Sequence, residues 1–482
     1  MKSKSKHEWR LLWALVLLTI VFFSSSAQSL AEEAPVTLTL QYIFENHLPE
    51  DLSLVQEAVD ALVYASEGFH VRLVPFLRVN GTDVQRQAQY RVLQKEGVVF
   101  DLLHSSMPGE QMRPLDDLLQ SDGQEILELF TGELGQLLKK GTIYSLPSLA
   151  DYATAQGVAM REDLVQAYAP EAVFARSLKD LDPIYEKVSK ACPDLYMVSS
   201  YVTGRGLLYR ATGISFSGTI FCVNEEGEVI SPYRTQAYAD SLKLFSRWYD
   251  AGYLYEYGPL QDISATELVR AGLLFSYVCA YKPGIEREVS EGCGMPMVVV
   301  QTSPSVVTGA SLSRSWGISV ASPHPREAMH LLSLLYTNAS LADLLANGIE
   351  GIDYRVTEDL RIEALNEDET FWCDGNWILP NETLCHVRST SAPELWEELT
   401  AFNREAYLAP NLGFTFDPTP VLAQNEKLES IVSQYGYGLE IGFLDPDIYL
   451  EQMLEQMEAA GEETVREELA NQYEAWKREE DS

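Results

Sequence analysis

The sequence predicts an α/β chain arranged as two lobes, with a helical C-terminal portion. Three observations carry that prediction. Apolar runs of strand length alternate with helix-period segments from Val36 to His104, and the joins between them are short. The strand-then-helix pattern restarts at Gly157-Val-Ala-Met-Arg-Glu-Asp-Leu164, beyond the proline that closes a run at Pro147. A third stretch, Ser315–Val356, reads as one more strand followed by two capped helices and a glycine-rich corner.

Taken in order, Val36–Tyr42 alternates as a half-buried strand, and Leu52, Val55, Val59 and Leu62 recur at helical spacing. His70–Phe76 is a second strand, Gln85–Lys95 a helix and Val98–His104 a third strand. Parallel strands need crossover connections, so this alternation implies a parallel sheet. Pro114–Leu119 opens a helical region and Gly141–Pro147 is a strand. Ser177 and Asp180 have the spacing of a capping box for a helix through Lys190. Gly204–Ile230 reads as strands and loops, Ala237–Tyr249 and Thr266–Ala271 as helices, and Gly272–Val278 as a buried strand. Met297–Val300 leads into Thr302-Ser-Pro-Ser305. Trp316–Val320 is the strand of the third stretch. Pro325 suits the first position of a helix, where a missing N–H costs nothing. Ala328, Leu331, Leu332 and Leu335 give that helix its apolar face, Asn338 can cap the next, and Gly348 can end it. Residues 357–392 are irregular, Pro393–Tyr407 is helical, and Pro410–Pro418 is an extended corner. Helical patterns fill Val421–Ser433, Asp447–Gly461 and the segment to Lys477, with a short turn at Tyr437–Gly442.

A chain of 482 residues, 46% hydrophobic and 22% charged, is long enough for two or three compact domains and is not wholesale disordered. Its 71 acidic against 35 basic side chains give a net charge of −36, which opposes nucleic acid or an anionic membrane surface as the main partner. Lys2, Lys4, Lys6 and Arg10 precede an apolar run from Leu11 to Phe23, and Ser29-Leu30-Ala31 offers a small-x-small cleavage site. Residues 1–31 therefore read as a secretory signal, with an uncleaved anchor as the alternative, and the expected location is secreted or at the cell-envelope exterior. No cysteine lies near the cleavage region to carry a lipid. Cys192, Cys222, Cys279, Cys293, Cys373 and Cys385 permit disulfides or free buried thiols, and without a CxxC unit no structural zinc site is expected.

Catalytic constellations are missing from the sequence: there is no HExxH, GxSxG, Walker loop or well-placed GxGxxG. Histidines 7, 47, 70, 104, 324, 330 and 386 are scattered. Glycoside hydrolysis needs only two carboxylates, so a secreted carbohydrate-active enzyme remains an alternative although no motif frames a pair. The 25 Tyr, 8 Trp and 17 Phe are more suggestive, because sugars stack their C–H faces on rings while polar groups take the hydroxyls. Open α/β sheets bind ligands beyond the carboxyl ends of their strands. Tyr42, Ser105, Ser106, Tyr152, Tyr281 and Trp316 have such positions and are the candidate contacts.

Several separated motifs agree with one family. They are Phe100-Asp-Leu-Leu103, Pro114-Leu-Asp-Asp-Leu-Leu119, Ile143-Tyr-Ser-Leu-Pro147, Arg161-Glu-Asp-Leu164 and Tyr281-Lys-Pro-Gly284. Pro325-Arg-Glu-Ala328, Gly348-Ile-Glu-Gly-Ile-Asp-Tyr354, Leu412-Gly-Phe-Thr-Phe-Asp-Pro418 and Asp445-Pro-Asp-Ile-Tyr449 follow. In order and spacing they resemble the extracellular solute-binding proteins of ABC importers, in a family 1-like, carbohydrate-type branch. The resemblance implies a two-lobed, periplasmic-binding-protein-like type II fold with hinge strands. Residues 32–148 and 304–349 would form the first lobe, and 149–303 with 350–482 the second. It further implies an oligosaccharide or related solute held between the lobes, hinge closure, and docking of the closed form on permease subunits. A monomer with no enzymatic activity, cofactor or metal is expected. Lys282 joins the candidate contacts through its tetrapeptide, and Trp316 becomes a hinge-side residue with access to the cleft. A ligand-sensing ectodomain is the remaining alternative.

Overall fold

The structure, a computed structural model, describes residues 35–44, 48–49, 51–77, 83–104, 111–130, 135, 138, 142–199, 214–255, 263–309, 312, 314–365 and 378–480. The signal segment 1–31, Ser105, Ser106 and Cys373 lie outside the described residues.

Two five-stranded sheets organise the chain. The first has the order His70–Leu77, Thr37–Phe44, Leu102–His104, Ser315–Ile318, Leu146–Pro147. Its first three strands run parallel, as the crossover helices Ser53–Glu67 and Asp83–Lys95 require. Ser315–Ile318 returns from the far side of the chain and inserts antiparallel between Leu102–His104 and Leu146–Pro147. Gly317 permits the insertion: a Cβ there would stand 2.6 Å from the Tyr144 carbonyl oxygen and 2.8 Å from Met112 Sδ. The helix Pro325–Thr337 then buries Ala328, Leu331, Leu332 and Leu335 against this sheet. Asn338 caps the following helix, its Oδ1 accepting from the Leu341 N–H at 3.0 Å.

The second sheet has the order Leu254–Tyr255, Tyr196–Ser199, Leu274–Tyr281, Ala155–Arg161, Met297–Gln301. Ala155–Arg161 runs against both its neighbours, and the other pairings are parallel. The helices Gln236–Asp250, Leu422–Glu440, Pro446–Ala459 and Glu462–Glu480 share one core with this sheet. In it Tyr185, Phe245, Trp248, Leu428, Met453 and Tyr473 are buried.

The lobes are joined by hydrogen-bonded crossing strands. Thr154 and Val306 exchange backbone bonds of 3.0 and 2.9 Å, and the Ser148 N–H donates to the Arg314 carbonyl at 2.8 Å. Val306–Val307 also pairs with Tyr407–Leu408. Ala153, Val306, Val307, Ala409 and Leu412 make a small core of their own at this hinge. The helix Leu395–Glu405 clamps it: Asn403, buried, accepts from the Ala153 N–H at 3.0 Å and donates to the Ala150 carbonyl at 2.6 Å.

Several expectations are corrected. Ile378, Leu379 and Cys385, placed by sequence in the second lobe, pack into the first core. Ser177 does not cap a helix through Lys190. A tight turn at Leu178–Leu181 intervenes and the helix starts at Asp182, with Pro183 in its first turn. The third strand shortens to Leu102–His104. Asp101, just before it, accepts from the Thr39 N–H at 2.7 Å and from the Ser322 hydroxyl. The helix expected to stop at Ser433 continues through Gly436 and Gly438 to Glu440. Gly438 lies so close to Leu444 that a Cβ would fall 2.7 Å from Leu444 Cγ, so packing outweighs the low helix propensity of glycine. Cys192, Cys222, Cys279, Cys293 and Cys385 are free thiols. Among the described residues no helix is long and apolar enough to cross a membrane.

Candidate functional site

The strands Leu274–Tyr281 and Met297–Gln301 run the same way and both end at the hinge, Tyr281 opposite Ala155 and Gln301 opposite Gly157. Gly157 has no side chain to crowd them; a Cβ there would lie 3.1 Å from Tyr281 Cβ. Beyond these ends lies a cavity of about 530 Å³ lined by Val173, Arg176, Tyr281, Val299, Gln301 and Ser303, among others. That volume is in the range of small-ligand sites.

Tyr281 is half-buried, its ring centroid 6.0 Å from that of Phe402. Burial first, then the charges of Glu286 and Glu398, raise its hydroxyl above the ordinary tyrosine value, so it stays a neutral O–H donor at neutral pH. Tyr152, shortly before the strand Ala155–Arg161, does not line this cavity; it packs between the first core and the hinge cluster, and burial raises its hydroxyl too. Neither hydroxyl has a protein hydrogen-bond partner among the described residues. Arg176 donates to the Ala175 carbonyl at 2.7 Å and Gln301 to the Ser303 carbonyl at 2.8 Å, which orients both. Ring faces, unspent hydroxyls, a guanidinium and an amide are the groups a polyol needs. Across the Thr302–Pro304 corner a second cavity, about 520 Å³, is lined by Lys179, Asp240, Lys243 and Arg247 and has no aromatic ring.

The first-lobe candidates are placed differently. Tyr42 and Trp316 are each only 3% exposed. The Tyr42 hydroxyl donates to the Leu345 carbonyl at 2.5 Å, and the Trp316 indole N–H to the Ile378 carbonyl at 2.6 Å. Trp316 also meets His104 edge-on at 5.4 Å. Both rings border an enclosed void of about 10 Å³, at most room for one water. Trp316 therefore does not open to a cleft; the segment Ile378–Pro380 covers that face of its strand. Trp316→Phe is expected to cost about 1–3 kcal/mol, from the carbonyl left unpaired, and to leave sugar affinity unchanged. Urea denaturation beside a binding titration checks both halves.

Lys282 does not line the cavity. Its ammonium stands 3.0 Å from both Asp151 and Glu288. Burial alone would lower its pKa, but Asp151, Glu288 and Glu382 together hold it above the ordinary lysine value. The buried Glu382 carboxyl is pushed up to about 7 by burial and then by Asp151, with Lys282 and Arg314 opposing. Both Asp151 oxygens are engaged, by Arg314 and Lys282, and neither Glu382 nor Asp151 lines the cavity.

Sequence reasoning missed Arg176, Gln301, Phe402 and Glu382. Gln301 directly follows an apolar run, and the rule that selected Tyr42 applies to it equally; the other three carry no local signal. Among the described histidines, His70 pairs with Asp60 at 2.9 Å, His330 with Glu67 at 3.2 Å and His386 with Asp343 at 2.6 Å. Among the described residues no group of three or more His, Cys, Asp or Glu is placed to hold a metal ion.

The crystal structure of an N-glycan transport solute binding protein, NgtS, from Streptococcus pneumoniae is 19% identical to this chain. It matches with a TM-score of 0.76, over 91% of this chain and 98% of that one. The chain has the fold of the extracellular solute-binding proteins. Complexes of NgtS with Man1GlcNAc and Man5GlcNAc match at TM-scores of 0.65 and 0.64, each with 18% identity, over 91% and 92% of this chain and 99% and 98% of those. The alginate-binding protein AlgQ2 without calcium ion matches at 0.56 and 14% identity, over 92% of this chain and 98% of that one. A carbohydrate ABC transporter substrate-binding protein from Streptococcus pneumoniae serotype 4 is 22% identical over 348 residues, 69% of each chain. A domain-of-unknown-function family, DUF3502, matches residues 410–478, which here form the corner and three helices that complete the second core of the solute-binding fold. The type II fold and the resemblance read from separated motifs are borne out.

Proposed function

We propose that this chain captures an oligosaccharide between its two lobes and delivers it to the permease subunits of an ABC importer. It works outside the cell membrane as a monomer, after export through residues 1–31, and performs no chemistry on its ligand. The observation that carries this reading is the Tyr281 cavity at the carboxyl ends of the second sheet, beside hinge strands that let a facing lobe close on it. Tyr281 supplies the stacking face and Arg176 and Gln301 the hydroxyl partners. The complexes of NgtS with Man1GlcNAc and Man5GlcNAc support a sugar of several units.

A thermal-shift screen with Man1GlcNAc, Man5GlcNAc, alginate oligomers and fructans tests it. At a ligand concentration about 100 times Kd, native-state binding adds about 2.7 kcal/mol, a shift of several degrees. Tyr281→Ala is expected to abolish the shift while leaving the ligand-free melting temperature nearly unchanged. A flat response of the wild-type chain to every sugar would overturn the reading.

A further inference from the structure

The second cavity, across the Thr302–Pro304 corner from Tyr281, is built mainly from hydrogen-bond donors. The Thr235 side chain caps the helix Gln236–Asp250, accepting from the Tyr238 N–H at 3.2 Å. On that helix Asp240, Lys243, Leu244 and Arg247 recur at helical spacing, so one face of it forms a wall of the cavity. Lys179 joins them from the tight turn Leu178–Leu181. Gln156, only 6% exposed, also lines the cavity. Its Oε1 accepts from the Thr302 hydroxyl at 3.2 Å, which orients the amide, and its Nε2 has no protein partner among the described residues. Arg247 engages one nitrogen, Nη2, with Asp182 at 3.0 Å. Lys243 stands 3.3 Å from Asp447, both side chains being more than half exposed, and Lys179 forms no ion pair among the described residues. Asp240 is the one carboxylate among the described lining residues, and its Oδ1 already accepts from Gln236 Nε2 at 2.8 Å. Three cations and a buried amide donor thus face one carboxylate.

We propose that this cavity takes an anionic group, a carboxylate or a sulfate ester, and that the captured oligosaccharide is an acidic one, with a ring at Tyr281 and a charged unit across the corner. Lysine and arginine only donate, so the group that answers them best is one that only accepts. A neutral hydroxyl brings a proton that these side chains cannot accept. A cavity of this volume is about 10 Å across, close to the Debye length at physiological salt, so the three cations act on one occupant together. The same screening separates the occupant from most of the chain's net charge of −36. Thr302, Ser303 and Pro304 border both cavities, and the consecutive residues Arg176 and Ser177 border one each. A sugar chain of several units can therefore cross from one to the other. The corner it crosses is fixed: the Gln156 N–H donates to Ser303 Oγ at 2.8 Å, and the Thr302 N–H to the Gln156 carbonyl at 2.8 Å. The inference rests on the reading of sugar capture at Tyr281, and adds the class of sugar.

The test has two arms on the full chain. In the first, calorimetric titration compares β-1,4-mannotetraose with tetramannuronate, the same chain carrying carboxylates, and with 6-O-sulfated mannotetraose. One charged tetramer is expected to bind at least about tenfold tighter than the neutral one, and which of the two does so tells carboxylate from sulfate. The gain should shrink between low and high salt, vanish in the double variant Lys179→Gln, Lys243→Gln, and grow in Asp240→Asn. All three positions are exposed, so these variants keep the fold. In the second arm no sugar is present: sulfate replaces chloride at constant ionic strength and the melting temperature is read. Sulfate stabilises most proteins by exclusion from their surface, so the double variant sets the baseline. The wild type is expected to rise at least about 1 °C further than that baseline. Equal responses to sulfate in the two proteins overturn the proposal. Charged tetramers that bind no tighter than a neutral one that binds also overturn it, leaving an adventitious anion only. If none of the tetramers binds, the reading of sugar capture fails in this panel, while a sulfate response lost in the double variant still supports the anion site.

Discussion

Lys282→Met is expected to lower folding stability by about 3–5 kcal/mol near pH 8, the usual consequence of removing one partner from a buried ion pair. The Lys282 side chain is 17% exposed and Asp151 15%, so solvent screens their attraction poorly. Methionine fills much of the volume but leaves Asp151 and Glu288 without their ion-pair partner, Arg314 still pairing with Asp151. Because the carboxylates hold the lysine above its ordinary value, its contribution is fully present below that value and is lost only as pH rises past the raised one. Across about pH 5–9 the lysine itself adds no slope. The pH dependence of the variant comes from the acids: protonating Glu382 relieves the stranded charge, so the loss is smaller near pH 5 than near pH 8. Urea denaturation at both pH values measures this, and Lys282→Arg should recover part of the loss. A loss under about 1 kcal/mol at both would place the pair among solvated surface bridges.

The fold was legible where its signals were local. Alternation from Val36 to His104 gave the parallel strands, and Pro325 and Asn338 marked helix starts that the structure retains. The site was less legible because its groups converge from separate segments. Tyr281 and Gln301 come from two strand ends, Arg176 from a turn and Phe402 from a helix of the C-terminal half. Trp316 shows the limit well. Its place after a long return was readable, but which face of the strand it occupied depended on Ile378–Pro380, a segment that reads as irregular. Lys282 was found for its neighbours in sequence, whereas its role depends on Asp151, Arg314 and Glu382, which only the crossing strands bring together.

Gly442→Ala is expected to cost about 3 kcal/mol or more, and the comparison with two other glycines shows why. Gly442 has φ +78°, and a Cβ there would fall 2.4 Å from the Phe245 carbonyl oxygen and 2.8 Å from Tyr249 Cβ. The obstacle is backbone of the helix Gln236–Asp250, which cannot swing aside as a side chain can. Gly218 has nearly the same φ, +74°, with nothing within 4 Å of its Cβ position. Its alanine variant therefore carries only the left-handed backbone penalty of about 1 kcal/mol. Gly438→Ala should fall between them, since the atoms it meets belong to the Leu444 side chain. Urea midpoints in the order Gly218→Ala, Gly438→Ala, Gly442→Ala from mild to severe would establish that the C-terminal helices are seated on the second lobe through their backbones. That seat matters for the site. The helix Gln236–Asp250 shares its core with the sheet that ends in Tyr281 and Gln301, so loosening Gly442 should weaken sugar binding only as the lobe unfolds. Equal losses at Gly442 and Gly218 would mean the close approach at Phe245 does not hold the C-terminal helices in place.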